Sequence, residues 1–461
     1  MVDTIQRTEV EQLASFVVRS DYADLSPQAR HHLKLHILDS LGCAIGALDG
    51  VPVRALRDQV DEFGGQGLCT LIGGRRTAPD RAACYNTALV RYLDFMDNFI
   101  AKKETCHPSD NLGSVLAAAE YADCSGRDLM TALAVAYQVE CRLLEAGPIS
   151  EYGFDHTTQG AYSMAAGISR ALGLDECQTA NAVAITGASS VTLWVTRIRK
   201  ISQWKGLLSS HVALGATHAT FLAKHGVTGP LEIFEAPDGY MDSLSGKFDI
   251  NWDKENLECV IRTAIKPYNA EVHSQSVIEG VLELREQYNP KAQDIDHIEI
   301  TTFKTCYNII GGGEGGDKSV AYTKEQADHS LPYVIAVAIL DGQVLPAQYV
   351  PERINRPDVQ TLMKKVSVRP NRGYTRRYPD EVPCKITVHL KNGQELIREK
   401  SDFNGFFTRP MTWEQVVSKF EFLSSPYANK DLQQQIIQTV DSLENVSVRD
   451  LTRLLANVRP M

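Results

Sequence analysis

The sequence predicts a mostly α-helical protein, in which a large all-helical domain carries a smaller α+β domain as an insertion. Three observations lead to this fold class. Apolar residues recur with helical spacing through roughly the first 230 residues, strand-like alternation appears only beyond residue 265, and helical spacing returns from residue 411. A chain of 461 residues is also longer than one hydrophobic core usually supports. We therefore expect the helical domain over 1–264 and 405–461 and the α+β domain over 265–404.

The first domain is predicted to consist of consecutive helices. Leu33, Ile37 and Leu41 share one face of an early helix, at the three- and four-residue spacing of an α-helix. Helices are expected over residues 28–41, 81–92, 111–122, 126–145, 158–172 and 211–225. Residues 177–196 carry no charge and match a membrane span in length, but their many polar side chains favour a buried helix followed by a turn.

The second domain is predicted from alternation of apolar and polar residues. Strands are expected over 296–303, 366–370, 384–390 and 395–399, and the last two form a hairpin around an Asn-Gly turn. Helices are expected between the strands, over 274–287 and 330–340, the second with Ser330 as N-cap. Three helices, over 411–422, 429–443 and 448–455, then return the chain to the helical domain.

Composition excludes several classes of function. The chain has 57 acidic and 47 basic side chains, a net charge of −10, and no long basic run, so a nucleic-acid partner is not expected. The N-terminus has no apolar signal segment. Ten scattered cysteines, none in a Cys-x-x-Cys pair, are expected to be buried free thiols in a reducing cytoplasm. Metal-ligand spacing, nucleotide-binding glycine loops and a Gly-x-Ser-x-Gly elbow are also missing from the sequence.

The first candidate site follows the helix predicted over 81–92. Asp94, Asp97, Asn98 and His107 fall within fourteen residues, and the two aspartates would share a helix face if the helix continued. Such a group of carboxylates, amide and imidazole suits acid–base chemistry. The alternative is a solvated helix end and a loop, with Ser109 or the following aspartate capping the next helix.

Other candidate residues lie further along the chain. His156 precedes a small-residue helix, where it either caps the helix or helps to bind an anion. Lys205 ends a run of cations that begins at residue 197. This run forms either a solvated surface or an anion-binding site. Lys266 and His273 flank a proline loop at the domain boundary, for which a simple linker is the alternative. His329 lies beside a strong helix-start signal, and a structural role at that helix start is sufficient to account for Asp328 and Ser330.

Together, these segments resemble the MmgE/PrpD family, which includes 2-methylcitrate dehydratase, cis-aconitate decarboxylase and iminodisuccinate epimerase. The resemblance covers nearly the whole chain and rests on the order and spacing of its motifs. The motifs are LDSLGC at 38–43, LDFMDN at 93–98, HPSDNLG at 107–113, WK at 204–205, TGP at 228–230, KPY at 266–268, AEVHSQ at 270–275 and ADHSLPY at 327–333. Two positions depart from the family pattern. Asn98 stands where threonine is common, and Arg409 stands where a late Asn-Pro motif of the family has asparagine.

The resemblance implies a homodimer that needs no metal and no organic cofactor and acts on a small tricarboxylate. Matched position by position, it implies a set of catalytic residues: Asp94, His107, His156, Lys205, Lys266 and His273. The neighbouring Asp97, Asn98 and Ser109 are expected to bind the substrate. We expect Lys266 and His273 to share one pocket with Asp94 and His107 at the domain seam, where ligand sites are common.

The implied reaction is the dehydration of 2-methylcitrate or a related alkyl- or hydroxy-tricarboxylate. A proton next to a carboxylate is removed and hydroxide is expelled, so the enediolate that develops needs lysines or protonated histidines aimed at it. Decarboxylation of cis-aconitate and epimerisation of iminodisuccinate also develop a carbanion beside a carboxylate and remain alternatives. An inactive helical binding protein is the non-enzymatic alternative. The expected location is the cytoplasm, with an organelle as the other option.

Overall fold

The computed structural model describes residues 7–198 and 201–459. The chain folds into two compact units. The first unit runs to Trp194, resumes over Gly206–Thr263 and takes up the chain again from Thr412. The second unit comprises Val195–Lys205 and Ala264–Met411. Helices far outnumber strands, so the predicted fold class, mostly α with a smaller α+β part, is confirmed.

The first unit is built from helices at both ends of the chain, and the second from the helices and the larger sheet between them. The helices are α1 (Glu9–Arg19), α2 (Pro27–Gly46), α3 (Val51–Phe63), α4 (Pro79–Tyr92), α5 (Leu112–Tyr121), α6 (Gly126–Ala146), α7 (Thr157–Leu172), α8 (Glu176–Ser189), α9 (Leu208–Lys224), α10 (Gln275–Tyr288), α11 (Lys304–Ile310), α12 (Lys324–Ala327), α13 (Leu331–Asp341), α14 (Pro351–Ile354), α15 (Pro357–Met363), α16 (Arg372–Arg377), α17 (Trp413–Ser424), α18 (Lys430–Asp441) and α19 (Val448–Leu455). The strands are β1 (Cys69–Thr70), β2 (Arg76–Thr77), β3 (Phe99–Ile100), β4 (Thr105–Cys106), β5 (Ile295–Thr302), β6 (Val366–Pro370), β7 (Cys384–Leu390) and β8 (Glu395–Lys400).

Short polar residues set the starts of several helices. Ser26 caps α2, Ser125 caps α6, and Asp175 caps α8, each by accepting a hydrogen bond from a backbone N–H of the first turn. Gly173 ends α7 in the left-handed conformation, with φ of 64°, which glycine adopts without steric cost. Ser330 caps α13, as the sequence predicted.

Glycines allow helices of the first unit to approach one another closely. A Cβ at Gly113 on α5 would lie 2.3 Å from the backbone nitrogen of Thr87 on α4. A Cβ at Gly167 on α7 would lie 2.8 Å from the side chain of Val115 on α5. Helix α5 is therefore packed almost backbone to backbone against α4 and close against α7.

The C-terminal segment completes the first unit by packing α17 against α2. A Cβ at Gly42 would lie 3.1 Å from the Cα atom of Phe420, so the helices touch closely there. The Lys419 ammonium lies 2.6 Å from Oδ1 of Asp39 and donates a hydrogen bond of 2.7 Å to the carbonyl of Phe95. The chain thus returns to its own N-terminal part after the whole second unit has intervened.

Two short antiparallel strand pairs interrupt the helices of the first unit. Strand β1 pairs with β2, and β3 pairs with β4. The sequence predicted helices alone in this region, and that expectation is wrong at these four strands. Each strand is two residues long, which is too short to show alternation of apolar and polar residues.

The second unit contains a four-stranded sheet with the strand order β6-β5-β7-β8. Strands β5 and β6 are parallel, and the other two pairs are antiparallel. Ile298, Ile300 and Ile386 are buried on one face. Helix α10 packs on this sheet, and a Cβ at its Gly280 would lie 2.6 Å from Cδ1 of Ile386. The opposite face is half-exposed along β5 and β7.

The observed units divide the chain near the expected domain boundaries. The units separate after Thr263 and after Met411, and Val195–Lys205 groups with the second unit. As a division into separately folding domains, the expectation stays a prediction. Among the described residues, no helix is long and apolar enough to cross a membrane. Most cysteines are buried free thiols, but Cys177 is exposed, so the expectation of burial is wrong there.

Candidate active site

Helix α4 ends directly before the first predicted site residues. Tyr92 is its last residue, and Asp94 adopts a left-handed backbone conformation with φ of 58°. Aspartate tolerates this conformation better than most residues, so it suits an abrupt helix end. Because the helix does not continue, Asp94 and Asp97 do not share a helix face.

Asp94 accepts a hydrogen bond of 2.7 Å from Nη1 of Arg91, and both side chains are buried. The Arg91 guanidinium also lies 3.9 Å from the carboxylate of Asp110, to which the Ser209 hydroxyl donates at 2.5 Å. Sequence reasoning missed Arg91. Its one available signal was a charged residue inside an apolar helix, three positions before Asp94.

Asp97 is completely buried and links three segments of the first unit. It accepts hydrogen bonds from Nδ1 of His36 at 2.8 Å, from the Tyr137 hydroxyl at 2.7 Å and from the backbone N–H of Ser109 at 3.0 Å. Burial favours the neutral acid, but these bonds outweigh it and hold the pKa of Asp97 below its ordinary value. Asp97 is therefore ionised and fixes the loop that carries Ser109.

His107 is held by that same loop. Its Nδ1 lies 3.0 Å from the carbonyl oxygen of Asp97 and 3.0 Å from the amide nitrogen of Asn98. A carbonyl oxygen can only accept, and an amide nitrogen can only donate, so the two contacts suit opposite tautomers of the ring. The ring of His156 lies 5.2 Å from that of His107, edge to face, and both histidines are buried.

The structure corrects the cap expected for α5. Pro108–Asn111 form a single 3₁₀ turn, and α5 begins at Leu112 after Asn111, without a hydrogen bond from a capping side chain. Ser109 and Asp110 therefore do not cap this helix. His156 is the residue before α7, as expected, and its side chain does not cap that helix by a hydrogen bond.

In the second unit, His273 lies at the centre of a buried hydrogen-bonded chain. Its Nδ1 is 2.6 Å from Oε1 of Glu271, and its Nε2 is 3.1 Å from the hydroxyl of Tyr378. Burial favours the neutral acid, but His273, His329 and Lys266 hold the pKa of Glu271 below its ordinary value. The carboxylate is thus ionised and accepts from Nδ1–H, which leaves Nε2 to accept from the Tyr378 hydroxyl.

Positive charge is concentrated around Glu271. Lys266 is fully buried, and Lys205 is nearly so. The Lys205 ammonium lies 3.5 Å from Nδ1 of His329. Lys318, which sequence reasoning missed, is also buried, and burial lowers its pKa. Three lysines and two histidines therefore accompany the carboxylates of this unit.

Asp328 provides the second carboxylate of the group. It accepts hydrogen bonds from Nδ1 of His329 at 2.6 Å and from the ammonium of Lys324 at 2.8 Å. Burial opposes ionisation, but Lys324, Lys205 and His329 hold the pKa of Asp328 well below its ordinary value. The backbone carbonyl of Asp328 accepts from the N–H of Glu271 at 3.1 Å, which joins the two parts of the group.

The structure thus collects the predicted residues into two groups, each described within its own unit. We call them the histidine group and the lysine group. The histidine group contains Asp97, Asn98, His107, Ser109 and His156, with Asp94 held by Arg91. The lysine group contains Lys205, Lys266 and His273, joined by Lys318, Glu271, Asp328, His329 and Tyr378. The cations at positions 199 and 200, which the sequence also suggested, lie outside the described residues.

Buried acid–base pairs and buried lysines on a mostly helical chain with a four-stranded sheet are typical of an enzyme that handles an anionic substrate. The MmgE/PrpD N-terminal domain matches residues 11–253, and the MmgE/PrpD C-terminal domain matches residues 268–445. The chain therefore belongs to the MmgE/PrpD family.

Curated relatives resemble the chain over most of its length. A cis-aconitate decarboxylase of Mus musculus is 27% identical over 456 residues, which cover 92% of this chain and 88% of that protein. An alkylcitrate dehydratase of a fungal species is 27% identical and covers 84% of this chain and 82% of its own length. A 2-methylcitrate dehydratase of Salmonella typhi is 26% identical and covers 78% of each chain.

Proposed function

We propose that the protein is a hydro-lyase that dehydrates 2-methylcitrate, or a related alkyl- or hydroxy-tricarboxylate, to an alkene of the cis-aconitate type. The observation that carries the proposal is the lysine group, because three buried lysines beside two buried histidines match the charge of a polycarboxylate. The names of the dehydratase relatives support the same chemistry. We propose that the reaction uses no metal.

Proton removal is assigned to His273 acting through Tyr378. Glu271 holds Nδ1–H, so Nε2 can receive the hydroxyl proton of Tyr378 while the phenolic oxygen takes the proton from the substrate carbon. The electron pair left on that carbon delocalises into the adjacent carboxylate as an enediolate. Lys266 and Lys205 would stabilise this extra negative charge, each by roughly 3–4 kcal/mol if well placed.

Loss of the hydroxyl group completes the reaction. The carbon–oxygen bond breaks as the enediolate electrons form the double bond, and an acid donates a proton so that water leaves. We assign the acid role to His107, whose ring is held at Nδ1 by the Asp97–Asn98 loop. Asp97, Asn98 and Ser109 would then shape the substrate pocket around it, and His156 would bind a substrate carboxylate.

Decarboxylation of cis-aconitate is the second candidate, and a decarboxylase relative covering 92% of this chain favours it. In that reaction a carbon–carbon bond breaks, carbon dioxide leaves, and the resulting carbanion takes a proton. The same cations would stabilise the carbanion. An inactive binding protein is disfavoured. Burying so many charged groups lowers stability, and a protein without catalytic activity would have no use for them.

The test is a substrate panel with untagged protein dialysed against EDTA. We expect 2-methylcitrate to yield an alkene, seen as rising ultraviolet absorbance, with one water released per turnover. Cis-aconitate consumption with carbon dioxide release would instead identify a decarboxylase, and optical rotation would report on iminodisuccinate epimerisation. No turnover of any of the three, or activity only after a metal is restored, would contradict the proposal.

We further propose that both groups serve one substrate. Their chemistry is complementary, since the histidine group supplies an acid and the lysine group supplies a base and cations. His107→Ala and Lys266→Ala should each lower kcat, and the double variant should lose much less than the product of the two single effects. Fully multiplicative losses would mean that the residues act independently.

The homodimer implied by the family also remains a proposal. Light scattering at micromolar concentration should give a mass near twice the 51.0 kDa of the chain. A mass of one chain under the same conditions would refute the dimer.

A further inference from the structure

Two histidines are directly paired across the half-exposed face of the sheet. His297 on β5 is opposite His389 on β7, and their rings stack with centroids 4.1 Å apart and planes 10° from parallel. Side chains at directly paired positions of antiparallel strands point to the same face and lie within reach of each other. Neither histidine belongs to the histidine group or the lysine group.

Each of these histidines has its Nδ1 held by a carboxylate. Nδ1 of His297 lies 2.8 Å from Asp296, and Nδ1 of His389 lies 3.2 Å from Glu395 on β8. An ionised carboxylate only accepts, so Nδ1 carries a proton, and in the neutral ring Nε2 then has the lone pair that can bind a metal. Nε2 of His389 is buried and has no hydrogen-bond partner among the described residues. Histidines that bind metals in proteins usually donate their other ring N–H to a carboxylate, a backbone carbonyl or water, and here the partner is a carboxylate.

Glu299 provides a third donor on the same face. It lies two residues after His297 on β5, and its Oε1 is 4.0 Å from Nε2 of His297. One donor atom from each of Glu299, His297 and His389 lies within 4.8 Å of the other two. Donor atoms around a tetrahedral Zn²⁺ ion are roughly 3.3 Å apart. Side-chain rotations that move these three atoms by about 1 Å would therefore bring them to the spacing that a bound ion requires.

We propose that His297, His389 and Glu299 form a binding site for a divalent transition-metal ion, with Zn²⁺ as the best fit. Two imidazoles and one carboxylate are a donor set that Zn²⁺ favours, and the fourth position would hold water. The ion would tie β5 to β7 and so stabilise the second unit. The residues share no member with the groups assigned to catalysis, so the proposal is independent of the proposed function.

A nearby cation opposes metal binding and provides a control. The Arg369 guanidinium on β6 lies 3.5 Å from Oε2 of Glu299 and competes for its charge. Removing that charge with Arg369→Gln should tighten metal binding, because the carboxylate becomes more available to the ion. A variant that merely misfolds could not produce this gain.

The experiment is calorimetric titration of ZnCl₂ into untagged, EDTA-treated protein, with Co²⁺ absorbance as a second readout. We expect a saturable site that is weakened at least tenfold in His297→Ala and in His389→Ala, and tightened in Arg369→Gln. Zn²⁺ should also raise the Tm of the wild type but not of the double histidine variant. His218→Ala, at an exposed helical position, should bind like the wild type.

Two results would overturn the site. One is the absence of saturable Zn²⁺ binding by the wild-type protein up to millimolar concentration. The other is unchanged affinity in a double histidine variant whose circular dichroism spectrum matches that of the wild type.

Discussion

Glu271, His273 and Tyr378 form a chain in which each hydrogen bond determines the next. The ionised carboxylate fixes the proton on Nδ1 of His273, and the ring then accepts from the tyrosine hydroxyl. Burial raises the pKa of Tyr378 far above its ordinary value, so the hydroxyl keeps its proton at neutral pH. At the scale of the residue, these three side chains are therefore arranged for proton transfer from the Tyr378 hydroxyl to Nε2 of His273.

Replacing Tyr378 by phenylalanine tests this chain. The ring should stay stacked on Phe303, whose centroid is 4.5 Å away, while the hydroxyl that reaches His273 is lost. We expect kcat to fall at least tenfold and the basic limb of the pH–rate profile to change, with Tm little altered. Tyr374→Phe removes another tyrosine hydroxyl of the same unit, which donates to Glu399 and belongs to neither group, and should leave kcat unchanged. An unaltered kcat and pH profile in Tyr378→Phe would exclude the relay.

Lys266 is the residue from which we expect the largest electrostatic effect. Its side chain is fully buried, and its charge acts on Glu271. Lys266→Ala should lower kcat by roughly a hundredfold or more if the ammonium stabilises the enediolate. His107→Ala and His273→Ala should cause similar losses. Lys385→Ala, at an exposed position of the same unit, is the matched control, and a Lys266→Ala variant within threefold of wild type would refute the role.

The sequence indicated the candidate residues but few of their partners. Residue type and local spacing made His107, His273 and Lys266 candidates, and the family resemblance implied their catalytic roles. Tyr378 could not be predicted in this way, because it lies 105 residues beyond the histidine that it contacts. His36 contacts Asp97 across 61 residues in the same way. Such pairings depend on tertiary structure, and a single sequence contains no signal for them.

At the scale of the element, the register of α4 against α5 positions the histidine group. Helix α4 ends at Tyr92 just before Asp94, and α5 starts just after the turn that follows His107. Gly113 lets the two helices meet with no side chain between them. The spacing of these helices therefore sets both ends of the loop that carries all of the histidine group except His156.

Gly113→Ala should disturb this contact. The new methyl group would lie 2.3 Å from the backbone nitrogen of Thr87, where neither helix backbone can yield easily. We expect a loss of about 2–3 kcal/mol in the free energy of unfolding, and lower activity, measured by urea denaturation and steady-state rates. Gly160→Ala on α7 is the control, because its new methyl group would lie 3.8 Å from Oε1 of Glu140, at ordinary contact distance. Equal stability of the two variants would contradict this account of the packing.

Long helices and the sheet strands could be predicted because their periodicity extends over many residues. The four sheet strands and most helices occur within a few residues of the expected positions. Helices α1 and α3 were not predicted, although α1 has a complete capping box at Thr8 and Glu11. The strands of two residues carry too little pattern to be detected.

At the scale of the whole molecule, buried acids make stability depend on pH. Burial raises the pKa of Glu104 and of Glu140 to about 8, from 4.5 in the unfolded chain. Between these values, the unfolded state releases protons that the folded state keeps. Stability should therefore fall as the pH rises from about 4.5 to 8, by up to about 1.4 kcal/mol per pH unit for each acid.

Glu104→Gln should flatten this dependence. The amide oxygen can still accept the hydrogen bond that Glu104 receives from the N–H of Ile149, and it has no proton to lose. The urea midpoint of the variant should exceed that of the wild type increasingly from pH 6 to pH 8. Glu62→Gln changes an exposed acid and should keep the wild-type slope. Parallel slopes for Glu104→Gln and wild type would show that Glu104 is ionised in the folded protein.

The packing of α17 on α2 has a consequence for synthesis on the ribosome. Asp39 and Gly42 are translated before the inserted unit, but Lys419 and Phe420, which cover them, are translated only after it. The face of α2 around Gly42 therefore stays uncovered by α17 while the inserted unit is translated. The helical unit can therefore close over α2 only after the inserted unit has been translated and α17 has followed it.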